Sequence, residues 1–209
     1  MIEIIPAIIP KFFQEIEEKI KLVEPYVDWV QLDVMDGKFV NNLTWTNPND
    51  LKSLNTNLNL EVHLMINNPE EAIDDWIESG VKRIIIHYES TDKHKEIIEK
   101  VKRAGLEIGL AINPETSIEV IDEFYKDIDL VLIMSVNPGF GNQDFLNESV
   151  DKIRQLRERY KNVNIEVDGG VNLETAPNVI KAGANILISG SAIFKSNNIE
   201  ETIKQLKNK

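Results

Sequence analysis

Two aspartates stand where an apolar run gives way to glycine. Asp33 lies in Val30-Gln31-Leu32-Asp33-Val34-Met35-Asp36-Gly37, and Asp168 in Val163-Asn164-Ile165-Glu166-Val167-Asp168-Gly169-Gly170. Each run reads as a buried strand. A carboxylate at the mouth of such a strand is costly to desolvate unless a metal, a proton or a chemical task compensates. Two of them in one chain point to a two-base site that moves a proton at carbon. His63 closes a third run, and with Asp33 and Asp168 it makes an O,N,O donor set suited to Zn²⁺, Mn²⁺ or Fe²⁺. The alternative for His63 is a core imidazole satisfied by one backbone partner. Gln31 precedes Asp33 by two residues, so both side chains leave the same side of the strand, with Gln31 one layer deeper.

Other residues extend this picture. Ser135-Val136-Asn137-Pro138-Gly139-Phe140-Gly141-Asn142-Gln143, Gly169-Gly170 and Gly190-Ser191 each follow a strand-like run. Glycines there let backbone N–H groups approach a phosphate, and a short helix starting near Ser191 would add its positive end. The competing reading is that these glycines only shape tight turns. Met35, Met65 and Met134 sit at strand ends, as core filler or as a pliable apolar lining around an anionic intermediate. Trp29, Trp45 and Trp76 read as packing residues. His94, in a Lys- and Glu-rich helix, reads as solvated.

Placing these residues requires a scaffold. Eight strand-like runs cross the chain: 2–8, 27–34, 58–64, 83–87, 107–111, 130–134, 164–167 and 186–188. They recur at a mean of roughly 26 residues, the period of a strand, a helix and two loops. Runs such as Val131-Leu132-Ile133-Met134 are apolar throughout, as strands buried on both faces must be. The segments between them, Pro69–Ile77 for example, carry apolar residues at helical spacing. Gly80, Gly105 and Gly183 fall where a helix should end. The chain is therefore expected to form an α/β fold, a single (β/α)₈ TIM barrel over residues 1–209. An open doubly wound sheet is the alternative, but Pro6–Pro10 stands where its glycine-rich first turn would be. Asp33, His63, His87, Asn113, Ser135, Asn137 and Asp168 then gather at one end of the strands, where barrel active sites lie. The longest irregular stretches, 35–48 and 135–147, follow strands at that same end.

With 209 residues, 42% hydrophobic and 28% charged, the composition is that of a globular domain with a real core. The net charge of −12 disfavours nucleic acid and anionic membranes as partners. No cysteine is present, which removes disulfides and thiolate metal sites and fits a reducing cytoplasm. No stretch is long and apolar enough to span a bilayer, and the first residues are strand-like rather than a basic, hydrophobic leader. A cytoplasmic protein is expected.

The motifs Leu32-Asp33-Val34-Met35-Asp36-Gly37, His63-Leu64-Met65, Asn113-Pro114, Met134 to Gly141, Glu166 to Gly170 and Gly190-Ser191-Ala192-Ile193-Phe194 resemble, in order, those of the ribulose-phosphate 3-epimerase family. The resemblance runs from Pro6 to Phe194. It implies a metal-dependent isomerase of the pentose phosphate pathway that inverts C3 of a ketose phosphate, D-ribulose 5-phosphate first among them. Asp33 and Asp168 would be the acid/base pair, and Asp33, His63 and Asp168 would hold a divalent ion (Zn, Mn, Fe or Mg). His63, Asp168, Gly139, Phe140, Gly141 and Asn142 would surround the substrate, as would Gly169, Gly170, Gly190 and Ser191. A symmetric homo-oligomer is also implied. The chain departs from the family pattern at several positions. Gln31 stands where the family has a histidine metal ligand, so either an amide oxygen faces the metal and favours harder ions, or Gln31 does not reach the metal and water fills its place. Ala7 replaces a substrate-contacting serine, Lys38 a histidine, Asn41 a proline, and Asn142 the last glycine of the phosphate loop. Asn tolerates the left-handed conformation that a glycine would adopt there. A six-carbon substrate such as allulose 6-phosphate, decarboxylation of a keto-acid phosphate, and a non-catalytic phosphosugar-binding relative are the alternatives.

Overall fold

The computed structural model describes residues 2–209. Eight parallel strands close into a barrel in sequence order: β1 (Glu3–Ile8), β2 (Trp29–Met35), β3 (Asn59–Met65), β4 (Arg83–His87), β5 (Glu107–Ile112), β6 (Leu130–Met134), β7 (Asn164–Asp168) and β8 (Ile186–Ser189). β8 pairs back onto β1, Glu3 opposite Ile186, which closes the ring. All eight expected runs are strands, with ends shifted by at most two residues.

Side chains alternate about the barrel wall because successive residues of a strand face opposite sides. Val30, Leu32 and Val34 point outward and pack with Ile16 and Ile20 of the first helix. Gln31 and Asp33 point inward. The inner filling is Ile5, Ile85, Leu130, Leu132, Ile186 and Ile188, all buried. Each such side chain contributes about 1.5–3 kcal/mol by burial. Space inside is tight: a Cβ on Gly109 would lie 2.7 Å from the Leu130 side chain and 2.9 Å from that of Ile85. Only glycine fits that point of the layer.

The helices are α1 (Phe13–Val23), α2 (Ile73–Ile77), α3 (His94–Arg103), α4 (Glu148–Arg159), α5 (Ala176–Ala182), α6 (Ser191–Phe194) and α7 (Ile199–Lys207). Two crossovers use a different device. Between β2 and β3 the chain makes 3₁₀ turns over Pro48–Ser53, and between β5 and β6 over Ile118–Glu123. The helical spacing across 69–77 resolves into a 3₁₀ turn, Pro69–Glu71, and the five-residue α2. Asn68 enters that turn in the left-handed conformation, at φ 53°. Gly80, Gly105 and Gly183 all take positive φ after their helices, as expected. His94 corrects the expectation of a solvated side chain. It is buried at the start of α3, stacks on Tyr88 at 4.9 Å, and has its Nε2 2.7 Å from the Tyr88 carbonyl. The β4–α3 connection folds back over it, which spacing along the helix does not reveal.

Candidate active site

Register sets the site. Asp33 on β2 pairs with His63 on β3, so the two side chains enter the barrel side by side at its C-terminal mouth. Asp168 ends β7 at the same level. Ligand atoms of the three residues lie within 4.8 Å of one another. His63 Nδ1 is 3.3 Å from Asp33 Oδ1 and 3.4 Å from Asp168 Oδ2. It is buried and has no hydrogen-bond partner of good geometry. An unpartnered imidazole nitrogen facing two carboxylates is the donor set a divalent cation takes. Burial alone would keep the His63 ring neutral, but Asp168 and Asp33 outweigh it and lift its pKa to about 9. The same negative field attracts a proton or a metal ion, and the two compete. Burial raises the Asp33 pKa, partly offset by His63.

Of the two alternatives for Gln31, the amide orientation agrees with the one in which its oxygen does not face the aspartates. Its Nε2 donates to Asp33 Oδ1 at 2.8 Å and to Asp168 Oδ2 at 2.9 Å, while its Oε1 points away and is unpartnered. Between two carboxylates only the NH₂ end of an amide is favourable, because a carbonyl there would repel both. Gln31 therefore bridges the two aspartates from the layer below.

Behind His63 runs a chain that sequence reasoning missed. His63 Nε2 is 2.8 Å from His87 Nε2, and His87 Nδ1 is 3.4 Å from Glu89 Oε2. Burial drives the His87 pKa down to about 4, so that ring is neutral. A ligating Nδ1 on His63 places the ring proton on Nε2, donated to His87, whose own proton then faces Glu89. Glu89 is fixed by Thr116 and by the Asn113 backbone N–H. The i, i+2 spacing of His87 and Glu89 was the available signal, but Glu89 lies past the end of β4, in a 3₁₀ turn.

An open cleft of about 310 Å³ rises from this floor. Asp33, Asp168, Met35, Met65 and Met134 line it. So do Gly139, Phe140, Gly141, Asn142, Gly169, Gly170, Gly190 and Ser191. Gly170 adopts φ 64°, and a Cβ there would meet Phe145 backbone at 3.0 Å. Asn142 takes φ 59°, the left-handed conformation expected of it. Lys19 and Lys195, which sequence reasoning missed, also line the cleft. His63 is fully buried beside the aspartates. Ser135 donates to the carbonyls of Asp168 and Gly169 and ties β6 to β7. The short helix expected near Ser191 is present as α6, with four residues; at that length its free N–H groups rather than a dipole are what it offers an anion.

One layer down lies a second polar group. Glu61 and Glu166 sit two residues before His63 and Asp168 and are fully buried. Arg83 Nη1 donates to Glu61 at 2.5 Å and is 3.7 Å from Glu166. Burial lifts the Glu61 pKa to about 7 against the pull of Arg83, and raises that of Glu166 well above the ordinary glutamate range.

A closed (β/α)₈ barrel with two carboxylates and an imidazole converging at its mouth defines a barrel protein built for acid/base chemistry at a metal-capable site. The sequence profile of the ribulose-phosphate 3 epimerase family matches residues 3–194, and the chain belongs to that family. It is 38% identical over 212 residues to a ribulose-phosphate 3-epimerase of Schizosaccharomyces pombe, covering 99% of this chain and 92% of the relative. It is 43% identical over 211 residues to the chloroplastic ribulose-5-phosphate-3-epimerase of Arabidopsis thaliana, covering 97% and 75%. Among solved structures, a mutant tryptophan synthase α-subunit from Pyrococcus furiosus superimposes with a TM-score of 0.77 over 99% of this chain and 98% of that one. At 16% identity that likeness concerns the fold alone.

Proposed function

We propose that this chain is an isomerase that inverts C3 of D-ribulose 5-phosphate to give D-xylulose 5-phosphate. The observation that carries the reading is the convergence of Asp33 and Asp168, from separate strands, in a cleft that glycine-rich loops also line. Full-length relatives from fungi, bacteria and plants carry this activity in their names.

The hydrogen on C3 is next to a ketone, so it is weakly acidic, and its loss leaves an enediolate. One aspartate removes it; the other, carrying a proton, delivers that proton to the opposite face. A single base would tend to return the hydrogen where it came from. Met35, Met65 and Met134 keep water from the carbanion-like carbon. Gln31 holds the two carboxylates at fixed separation. Asp33, His63 and Asp168 would hold a divalent ion such as Zn²⁺, Mn²⁺ or Fe²⁺, which supplies charge stabilisation to the developing oxyanion when bound. The backbone N–H groups near Gly141, Gly170 and Ser191 receive the phosphate.

A coupled assay with ribulose 5-phosphate and with allulose 6-phosphate, each with and without added divalent metal, tests this. Turnover of the pentulose phosphate at least tenfold better than the hexulose phosphate is expected. Turnover of neither substrate under any metal condition would contradict it.

A further inference from the structure

The cleft is bordered by two ammonium groups that the proton-transfer chemistry does not use. Lys19 projects from α1 and Lys195 follows α6, and both border the cleft beside Gly141, Asn142 and Ser191. The Lys195 ammonium donates to Asn142 Oδ1 at 2.6 Å, joining residues 53 positions apart across the cleft rim. That contact depends on the backbone of Asn142, whose φ of 59° aims a side chain where the glycine of the family pattern would have none. The Lys19 ammonium lies 5.4 Å from the centre of the Phe194 ring, next in sequence to Lys195. Among the described residues neither ammonium has a carboxylate within 4.0 Å, as holds for every lysine except Lys93, Lys95 and Lys100, but these two line the cleft. Two unneutralised cations thus line the same cleft as Asp33 and Asp168, in a protein whose net charge is −12.

Resting on the phosphosugar reading above, we propose that Lys19 and Lys195 form a cationic subsite for the phosphate dianion of the substrate, with Asn142 as the latch that presents Lys195. Backbone N–H groups give a phosphate directional hydrogen bonds but little net charge. An ammonium adds a compact point charge without demanding a fixed geometry. The aspartates repel the phosphate and the lysines attract it, so the substrate enters in one orientation, with its ketone over the acid/base pair. Loss of either lysine therefore acts on binding, and more strongly at low ionic strength, where exposed charges are poorly screened.

The test is calorimetric titration of the intact protein with inorganic phosphate, together with KM for ribulose 5-phosphate. Lys195→Met and Lys19→Met should each weaken phosphate binding by about fivefold, and the double variant by about 25-fold, at low salt. The loss should shrink in 0.5 M salt, appear in KM rather than kcat, and be largely restored by Lys195→Arg. Asn142→Gly, which preserves the backbone conformation but removes the acceptor, should weaken binding about twofold. Phosphate affinity and KM at the wild-type level in the double variant would overturn the subsite. If wild type fails to turn over the ketose phosphate yet the lysine variants still lose phosphate affinity, the subsite stands and the catalytic reading falls.

Discussion

Two carboxylate layers lie one above the other inside the same barrel, and they do opposite things. The upper layer is Asp33, His63 and Asp168; the lower is Glu61, Arg83 and Glu166. β3 and β7 contribute to both, two residues apart. The lower layer already contains its cation: Arg83 neutralises Glu61 and stacks on Trp29 at 4.1 Å. Its three side chains are almost wholly buried, and Arg83 is also paired with Glu107. The upper layer has no permanent cation, opens onto the cleft, and keeps an unpartnered imidazole nitrogen between two carboxylates. Burial and a raised carboxylate pKa are therefore not what mark a site. Access, and a charge left for an incoming group to balance, are.

The comparison breaks most directly by neutralising one acid in each layer. Asp168→Asn or Asp33→Asn should lower kcat on the order of 10³-fold, with the folded state retained by circular dichroism. Glu166→Gln, two residues away, should stay within about threefold of wild type. Comparable losses in both would mean that the layers act as one site.

His87 sharpens the upper layer. Its ring accepts the hydrogen bond that orients His63, so His87→Leu should cost about 10- to 100-fold in affinity for added Zn²⁺ or Mn²⁺. Metal content after dialysis against graded chelator reads this without reference to turnover. An unchanged affinity would remove His87 from the account.

Gln31 links the layers. Gln31→His exchanges a carboxylate-bridging amide for an imidazole able to ligate, and zinc should bind about tenfold tighter, near 1.4 kcal/mol. Wild-type protein that already retains one tight zinc per chain, unimproved by the change, would show that the amide is no obstacle.

The smallest effect is on stability. Burial raises the Glu166 pKa, so the folded state keeps its proton as pH rises while the unfolded chain loses it. The resulting penalty is absent below about pH 4 and grows through the neutral range. Glu166→Gln should therefore stabilise the protein on the order of 1 kcal/mol at pH 8, about 2–4 °C in Tm, and by less at pH 5. Thermal scans at the two pH values with equal gaps would contradict the assignment.

How far the sequence speaks depends on the range of the interaction. The strands were legible because Val131-Leu132-Ile133-Met134 and its counterparts are buried on both faces, a property of the run itself. The positions of Asp33, His63 and Asp168 followed from those strand ends, and Asn142 was legible as a left-handed residue from its local tolerance. The 3₁₀ crossovers at Pro48 and Ile118 were not, since helical spacing does not distinguish short turns from helices. The two alternatives for Gln31 stayed open because the orientation of its amide is decided by Asp168, 137 residues away. The burial of His94 against Tyr88 and the latch between Asn142 and Lys195 are likewise tertiary facts. Local periodicity places elements; partners from other strands decide which way a polar group turns.

The central claim is that two separate bases handle the C3 hydrogen. Epimerisation of protiated ribulose 5-phosphate in deuterium oxide, stopped within the first turnovers, tests it by mass spectrometry of the xylulose 5-phosphate formed. The account predicts one deuterium at C3 in essentially every product molecule, because the delivering aspartate carries a solvent-derived proton. Product that retains the hydrogen of the substrate would mean that one base transfers it across, contradicting the roles given to Asp33 and Asp168.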